Sequence, residues 1–123
     1  MDFASGLLHV DSNMEGAVLL QRWTGRANEL RPAQALDGYF ASVIDRARES
    51  GLTIEHHFEK LEYFNSSFIS WIVGHVRRTF EVKVKTIIFF EPKSSMHRSS
   101  FDALKHLQGD NPWLQVLEAR PPS

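Results

Sequence analysis

The sequence predicts an α/β domain: a mostly parallel sheet of four to five strands, opened by an antiparallel hairpin and covered mainly on one face by about three helices. Three observations carry this. Two segments, Pro32 to Ser50 and Ser66 to Phe80, repeat apolar residues at helical spacing; segments rich in alternating or β-branched residues stand between and after them; and the opening 23 residues hold two short apolar runs around a polar break.

In chain order, Leu7 to Val10 and Ala17 to Trp23 read as the two strands of a hairpin, with DSNMEG as its turn. Pro32 suits the first turn of a helix, and Leu36, Tyr39, Phe40, Val43, Ile44 and Ala47 form its apolar stripe. Gly51 stands where a left-handed cap would end it. Leu52, Ile54, His56 and Phe58 alternate with polar residues as a strand does, and Glu59 to Phe64 reads as a link. The next helix begins after Asn65, with Phe68, Ile69, Ile72, Val73, Val76 and Phe80 towards the core. Val82 and Val84 alternate with lysines and run into Thr86 to Phe90, β-branched and aromatic residues suited to a buried strand, which Pro92 ends. Lys93 to Ser100 reads as a loop, Phe101, Leu104 and Leu107 as a short third helix closed by Gly109, and Trp113 to Glu118 as a last strand. One domain is expected over residues 1–123, with 1–5 and 119–123 frayed.

Composition narrows the function. With 42% hydrophobic and 24% charged residues the chain is of ordinary globular type, and 14 basic against 15 acidic residues leave no basic field for nucleic acid. There is no cysteine, which removes disulfides, thiolate catalysis and thiolate metal sites, and fits a reducing cytosol. MDFASGLLHV lacks the layout of a signal peptide, and no apolar run approaches the roughly 20 residues of a bilayer span, so a cytoplasmic protein without membrane partners is expected.

Motifs for catalysis are missing. The six histidines form no metal-ligand spacing, the glycines form no phosphate loop, and no GxSxG elbow is present. No catalytic residue, metal or cofactor is therefore assigned. Adjacent His56 and His57 would point to opposite sides of a strand, and His56, in phase with Ile54 and Phe58, reads as a buried, hydrogen-bonded histidine. The informative stretch is YFNSSFISWIVGHVRRTF, residues 63–80. Asn65 is a favoured N-cap, which leaves the backbone N–H groups of Ser66, Ser67 and Phe68 as donors at the positive end of a helix dipole. Ser67, Ser70, Trp71, Gly74 and Arg78 project to the side away from the apolar stripe. A tryptophan among small residues on a face expected to meet water marks a contact site.

The run from Gly16 to about Arg78 resembles the STAS domain of bacterial anti-sigma factor antagonists. It shares a strand ending in Trp23-Thr24-Gly25, an amphipathic helix, a strand, and a serine corner opening the next helix. The family corner is Asp-Ser followed by Ser, Thr or Gly; here it is Asn65-Ser66-Ser67, and Tyr63-Phe64-Asn65-Ser66 is also similar to the Tyr-hydrophobe-Asn-Thr/Ser corner of related partner-switch proteins. The resemblance implies a STAS-like fold and a non-enzymatic signalling module. It places the phospho-acceptor at Ser66, and the implied partners are a regulatory serine kinase or anti-sigma-like protein and a phosphatase. Asn65, Ser67, Ser70, Trp71, Gly74 and Arg78 would form the partner surface, with Trp71 as anchor. Two other readings stay open: a constitutive scaffold or homodimerisation domain in which Asn65 and Ser66 only cap, and a small hydrolase or ligand-binding domain using the corner as an anion hole.

Overall fold

The computed structural model describes residues 2–119. Its elements are β1 (Asp2–Ser5), β2 (Leu8–Glu15), β3 (Val18–Ala27), α1 (Pro32–Ser50), β4 (Thr53–His57), β5 (Leu61–Phe64), α2 (Ser66–Glu81), β6 (Thr86–Phe90), α3 (Ser95–Gln108) and β7 (Leu114–Glu118). They build one seven-stranded mixed sheet in the order β1-β2-β3-β4-β6-β7, with β5 paired to β3 off this path. The first three strands are antiparallel, and β3, β4, β6 and β7 run parallel. β3 is the pivot, pairing β4 along Val18 to Arg22 and β5 along Gly25 to Ala27. The register shifts between Gly25 and Arg26. Gly25 has φ +85°, and a Cβ there would lie 2.0 Å from the Leu7 carbonyl oxygen, so only glycine fits.

Cross-strand partners share a face of the sheet. Leu8 and Val10, Leu19 and Trp23, Ile54 and His56, Ile88 and Phe90, and Leu114 and Val116 are all buried and in phase through the registers. All three helices pack on this face: Phe40 of α1 stacks on Trp23, His75 of α2 meets His56, and Phe101 of α3 lies against Phe58 and Phe90. The opposite face carries Leu20, which is buried, and Arg22, Glu55, His57, Ile87, Phe89 and Leu117, which are not. The expected one-sided α/β architecture is therefore present, with more strands than the sequence indicated.

Five local expectations change. The hairpin turn is Gly16-Ala17, not DSNMEG, because Ser12 turns inward and its Oγ accepts a 2.7 Å hydrogen bond from Gln21 Nε2, so a polar stretch keeps a strand's alternation. Asp2–Ser5 forms β1 along β2 where fraying was expected, and Leu61–Phe64 forms β5 where a link was expected. β6 starts at Thr86, since Val82, Lys83 and Val84 give their N–H groups to carbonyls at the end of α2, with Lys83 at φ +57°. α3 starts at Ser95: Ser94 caps it by accepting the His97 N–H, and the polar run to Ser100 lacks only the apolar stripe that would announce a helix. Residues 120–123 lie outside the described residues.

Candidate functional site

The serine corner sits at the end of β5, where Asn65 extends the ladder by donating its N–H to the Ala27 carbonyl at 3.2 Å. With φ −98° and ψ 175° it is an N-cap, and its Oδ1 accepts the Phe68 N–H at 2.9 Å. Its Nδ2 donates to the Glu29 carbonyl at 3.0 Å, tying the connector between β3 and α1 to the corner. One side chain thus needs an acceptor and a donor together, which asparagine supplies and aspartate does not. The Phe68 N–H is occupied; those of Ser66 and Ser67 have no partner among the described residues. Ser66 is exposed, and its hydroxyl makes no hydrogen bond among them.

Around the corner the surface mixes apolar and basic groups. Leu30, in the connector held by Asn65, is 88% exposed, the most open large apolar side chain described. Arg31 beside it is exposed, and Arg26 lies over the Tyr63 ring at 4.8 Å from its centre. Arg31, Gln34, Ser67, Ser70, Gly74 and Arg78 line an open groove between the start of α1 and α2, with Trp71 at its floor. The structure therefore brings the residues singled out on α2 into one groove beside Ser66.

Trp71 is not the exposed anchor the helical projection indicated. It is 6% exposed, its ring stacks on His75 and packs on Trp23, Phe40 and Phe68, and its Nε1 donates to Asp37 Oδ1 at 2.9 Å. The buried stripe of α2 is Phe68, Trp71, Ile72, His75, Val76 and Thr79, while Ile69, Val73 and Phe80 are only partly covered. The stripe turns towards α1 because two polar residues, His75 and Thr79, point inward, with Thr79 Oγ1 donating to the Val76 carbonyl. Arg78 also binds Asp37 Oδ1, at 3.1 Å, so its charge is partnered. Asp37, 34 residues before Trp71, escaped sequence reading because nothing local marks it.

Beneath the groove lies a buried polar chain. Trp23 Nε1 donates to His56 Nδ1 at 3.0 Å, which places the hydrogen of a neutral His56 on Nε2, and that atom donates to His75 Nε2 at 2.9 Å. His75 then carries its hydrogen on Nδ1, which has no partner among the described residues. Burial, with the neighbouring histidines adding to it, holds His56 well below the ordinary histidine range. Burial and then the Arg78 charge push His75 down to about 3. The hydrogen-bonded histidine expected at position 56 is thus present, with an unexpected partner. His97 caps another junction, with Nδ1 accepting the Glu91 N–H and Nε2 donating to the Leu61 carbonyl, which fixes α3 to β5.

Among the described residues, no helix is long and apolar enough to cross a membrane. No protein-family model matches the chain, and no curated protein does. Solved structures do. The Bacillus cell fate determinant SpoIIAA in its phosphorylated form is 24% identical over 90% of this chain and 91% of that one, with a TM-score of 0.56. The anti-sigma factor antagonist SpoIIAA in its unphosphorylated form is 21% identical over 90% of this chain and 88% of that one, with a TM-score of 0.58. At such identities the likeness is one of architecture, and by it the chain has the STAS fold of SpoIIAA, as the resemblance in its sequence implied.

Proposed function

We propose that the protein is a non-enzymatic regulatory binding module of a bacterial partner-switching pathway, cytoplasmic and switched by phosphorylation of Ser66. The observation that carries this reading is the placement of Ser66: an exposed hydroxyl, in the first turn of α2, beside two unpartnered backbone donors, while the neighbouring Asn65 binds the Glu29 carbonyl, which the 88% exposed Leu30 directly follows. A helix N-terminus favours a negative group by roughly 0.3–1 kcal/mol, so a phosphate on Ser66 is stable there. The same group adds charge and bulk where a partner fitted to the bare corner would pack.

The partner surface is Leu30, Asn65, Ser67, Ser70, Gly74 and Arg78, a regulatory serine kinase or an anti-sigma-like protein being its occupant, with a phosphatase restoring the bound state. Leu30 takes over the anchoring role first assigned to Trp71, which supports the groove from below. Incubation with serine kinases encoded near its gene, followed by mass-spectrometric mapping, tests the switch. Phosphate on Ser66 supports it; phosphate confined to other residues rejects it. The constitutive scaffold is the competing reading, favoured by the way Asn65 already satisfies the corner without a phosphate. In that case Ser66→Asp leaves partner binding unchanged.

A further inference from the structure

The helix-free face of the sheet holds a second concavity, of about 350 Å³, on the other side of the sheet from the α1–α2 groove. Asp11, Arg22, Thr24, His57, Glu59 and Lys60 line it, and the volume lies within the roughly 300–1,000 Å³ of small-molecule sites. The registers explain the grouping. Arg22 of β3 lies opposite Asp11 of β2 on one side and His57 of β4 on the other, while Glu59 and Lys60 form the rim just past the end of β4.

The charges in this pocket are not mutually satisfied. His57 donates from Nε2 to Glu55 at 2.6 Å and from Nδ1 to Glu59 at 3.1 Å, so both ring nitrogens carry hydrogen and the imidazolium's single charge is shared between the two carboxylates. Burial opposes that charge, but the hydrogen bonds His57 donates to Glu59 and then Glu55 outweigh it and raise the His57 pKa. Among the described residues Arg22 pairs only with Glu15, at 3.9 Å, and forms no ion pair with its cross-strand neighbour Asp11. Asp11 and Lys60 form no ion pair among the described residues. Oppositely charged residues directly across two strands ordinarily stabilise each other. Here Arg22 and Lys60 are left as donors and Asp11 as an acceptor, on one concave surface.

A ligand of one sign fits this lining poorly: a phosphate would meet Arg22 and Lys60 but face Asp11 and Glu59. A ligand of both signs matches it, and neighbouring strands about 4.8 Å apart space Arg22 and Asp11 for adjacent charged groups. We propose that this pocket binds a free α-amino acid, its carboxylate on Arg22 and Lys60 and its ammonium on Asp11.

Calorimetric titration of the full chain with each common amino acid, against acetate, ethylamine and inorganic phosphate, tests this. At least one amino acid binds with a Kd of about 1 mM or tighter, and the single-sign probes do not. Arg22→Gln and Asp11→Asn each weaken that binding at least about tenfold. Lys60→Gln, at an exposed rim position, also weakens it and covers the case in which a strand variant fails to fold. No binding by any amino acid, binding that survives these substitutions, or phosphate binding as tightly as the best amino acid overturns the proposal.

Discussion

Trp71 Nε1 and Asp37 Oδ1 lie 2.9 Å apart, joining α2 to α1 across 34 residues of sequence, and Arg78 meets the same oxygen at 3.1 Å. The bond lets an indole enter the core with its polar atom satisfied, as a buried tryptophan requires. Asp37 is about two-fifths exposed, so the ion pair adds little, while loss of the indole's acceptor costs more.

Asp37→Ala is expected to destabilise the fold by about 1–2 kcal/mol, seen as a lower urea midpoint at unchanged slope. Trp71→Phe costs a similar amount, and the double variant costs less than the sum, since each change removes the same bond. Additive costs would place the stabilisation elsewhere. Trp71→Ala opens the core and costs about 3–5 kcal/mol, so its effect on partner binding reports unfolding and not contact.

Stability falls on acidification through the His56–His75 pair. Both pKa values are lower folded than the 6.5 of the unfolded chain, so the unfolded state binds more protons as pH drops. The contribution is complete above pH 6.5 and is lost as pH falls towards the folded values, at about 1.4 kcal/mol per pH unit for each histidine. His57, with a raised pKa, acts oppositely and loses its contribution as pH rises above 6.5. Between pH 6.5 and 4.5 urea denaturation reads the buried pair, and His75→Gln is expected to halve the slope there. A wild-type stability that is flat over this range contradicts the assignment.

Asn65→Asp keeps the cap to Phe68 but loses the amide that donates to Glu29 and sets a carboxylate against that carbonyl. The favourable dipole term of roughly 0.3–1 kcal/mol offsets part of a loss of about 1–3 kcal/mol. A net destabilisation is expected, with faster amide exchange in residues 28–31. An Asn65→Asp variant more stable than wild type would show that the cap alone governs the corner.

Gly25→Ala forces a Cβ against the Leu7 carbonyl at a φ of +85°. The expected cost is more than about 1 kcal/mol, with the largest change in thermal midpoint of any glycine-to-alanine variant. Gly38→Ala, in the middle of α1 with open space around its Cβ, is expected to raise the midpoint instead.

α1 and the central strands were legible because each follows one period: α1 from Leu36 to Ala47 and β4 at Ile54 and His56. Asn65 was readable as a cap since capping is local in sequence. What the sequence hid is non-local or polar. Ser12 and Gln21 satisfy each other inside the sheet, so β2 reads as a turn; His75 and Thr79 point inward, so the apolar periodicity of α2 misplaces its buried face; and Trp71 reads as exposed until Asp37 is brought to it. Leu30 had no periodic context, and only its 88% exposure beside the corner draws it out.

The most direct test of the proposed switch compares affinities for whichever protein co-purifies with the unmodified chain. Protein phosphorylated at Ser66 is expected to bind that partner at least about tenfold more weakly than unmodified protein, equivalent to about 1.4 kcal/mol, with Leu30→Ala weakening the unmodified form and leaving the urea midpoint unchanged. Equal affinity of the phosphorylated and unmodified forms would contradict the account.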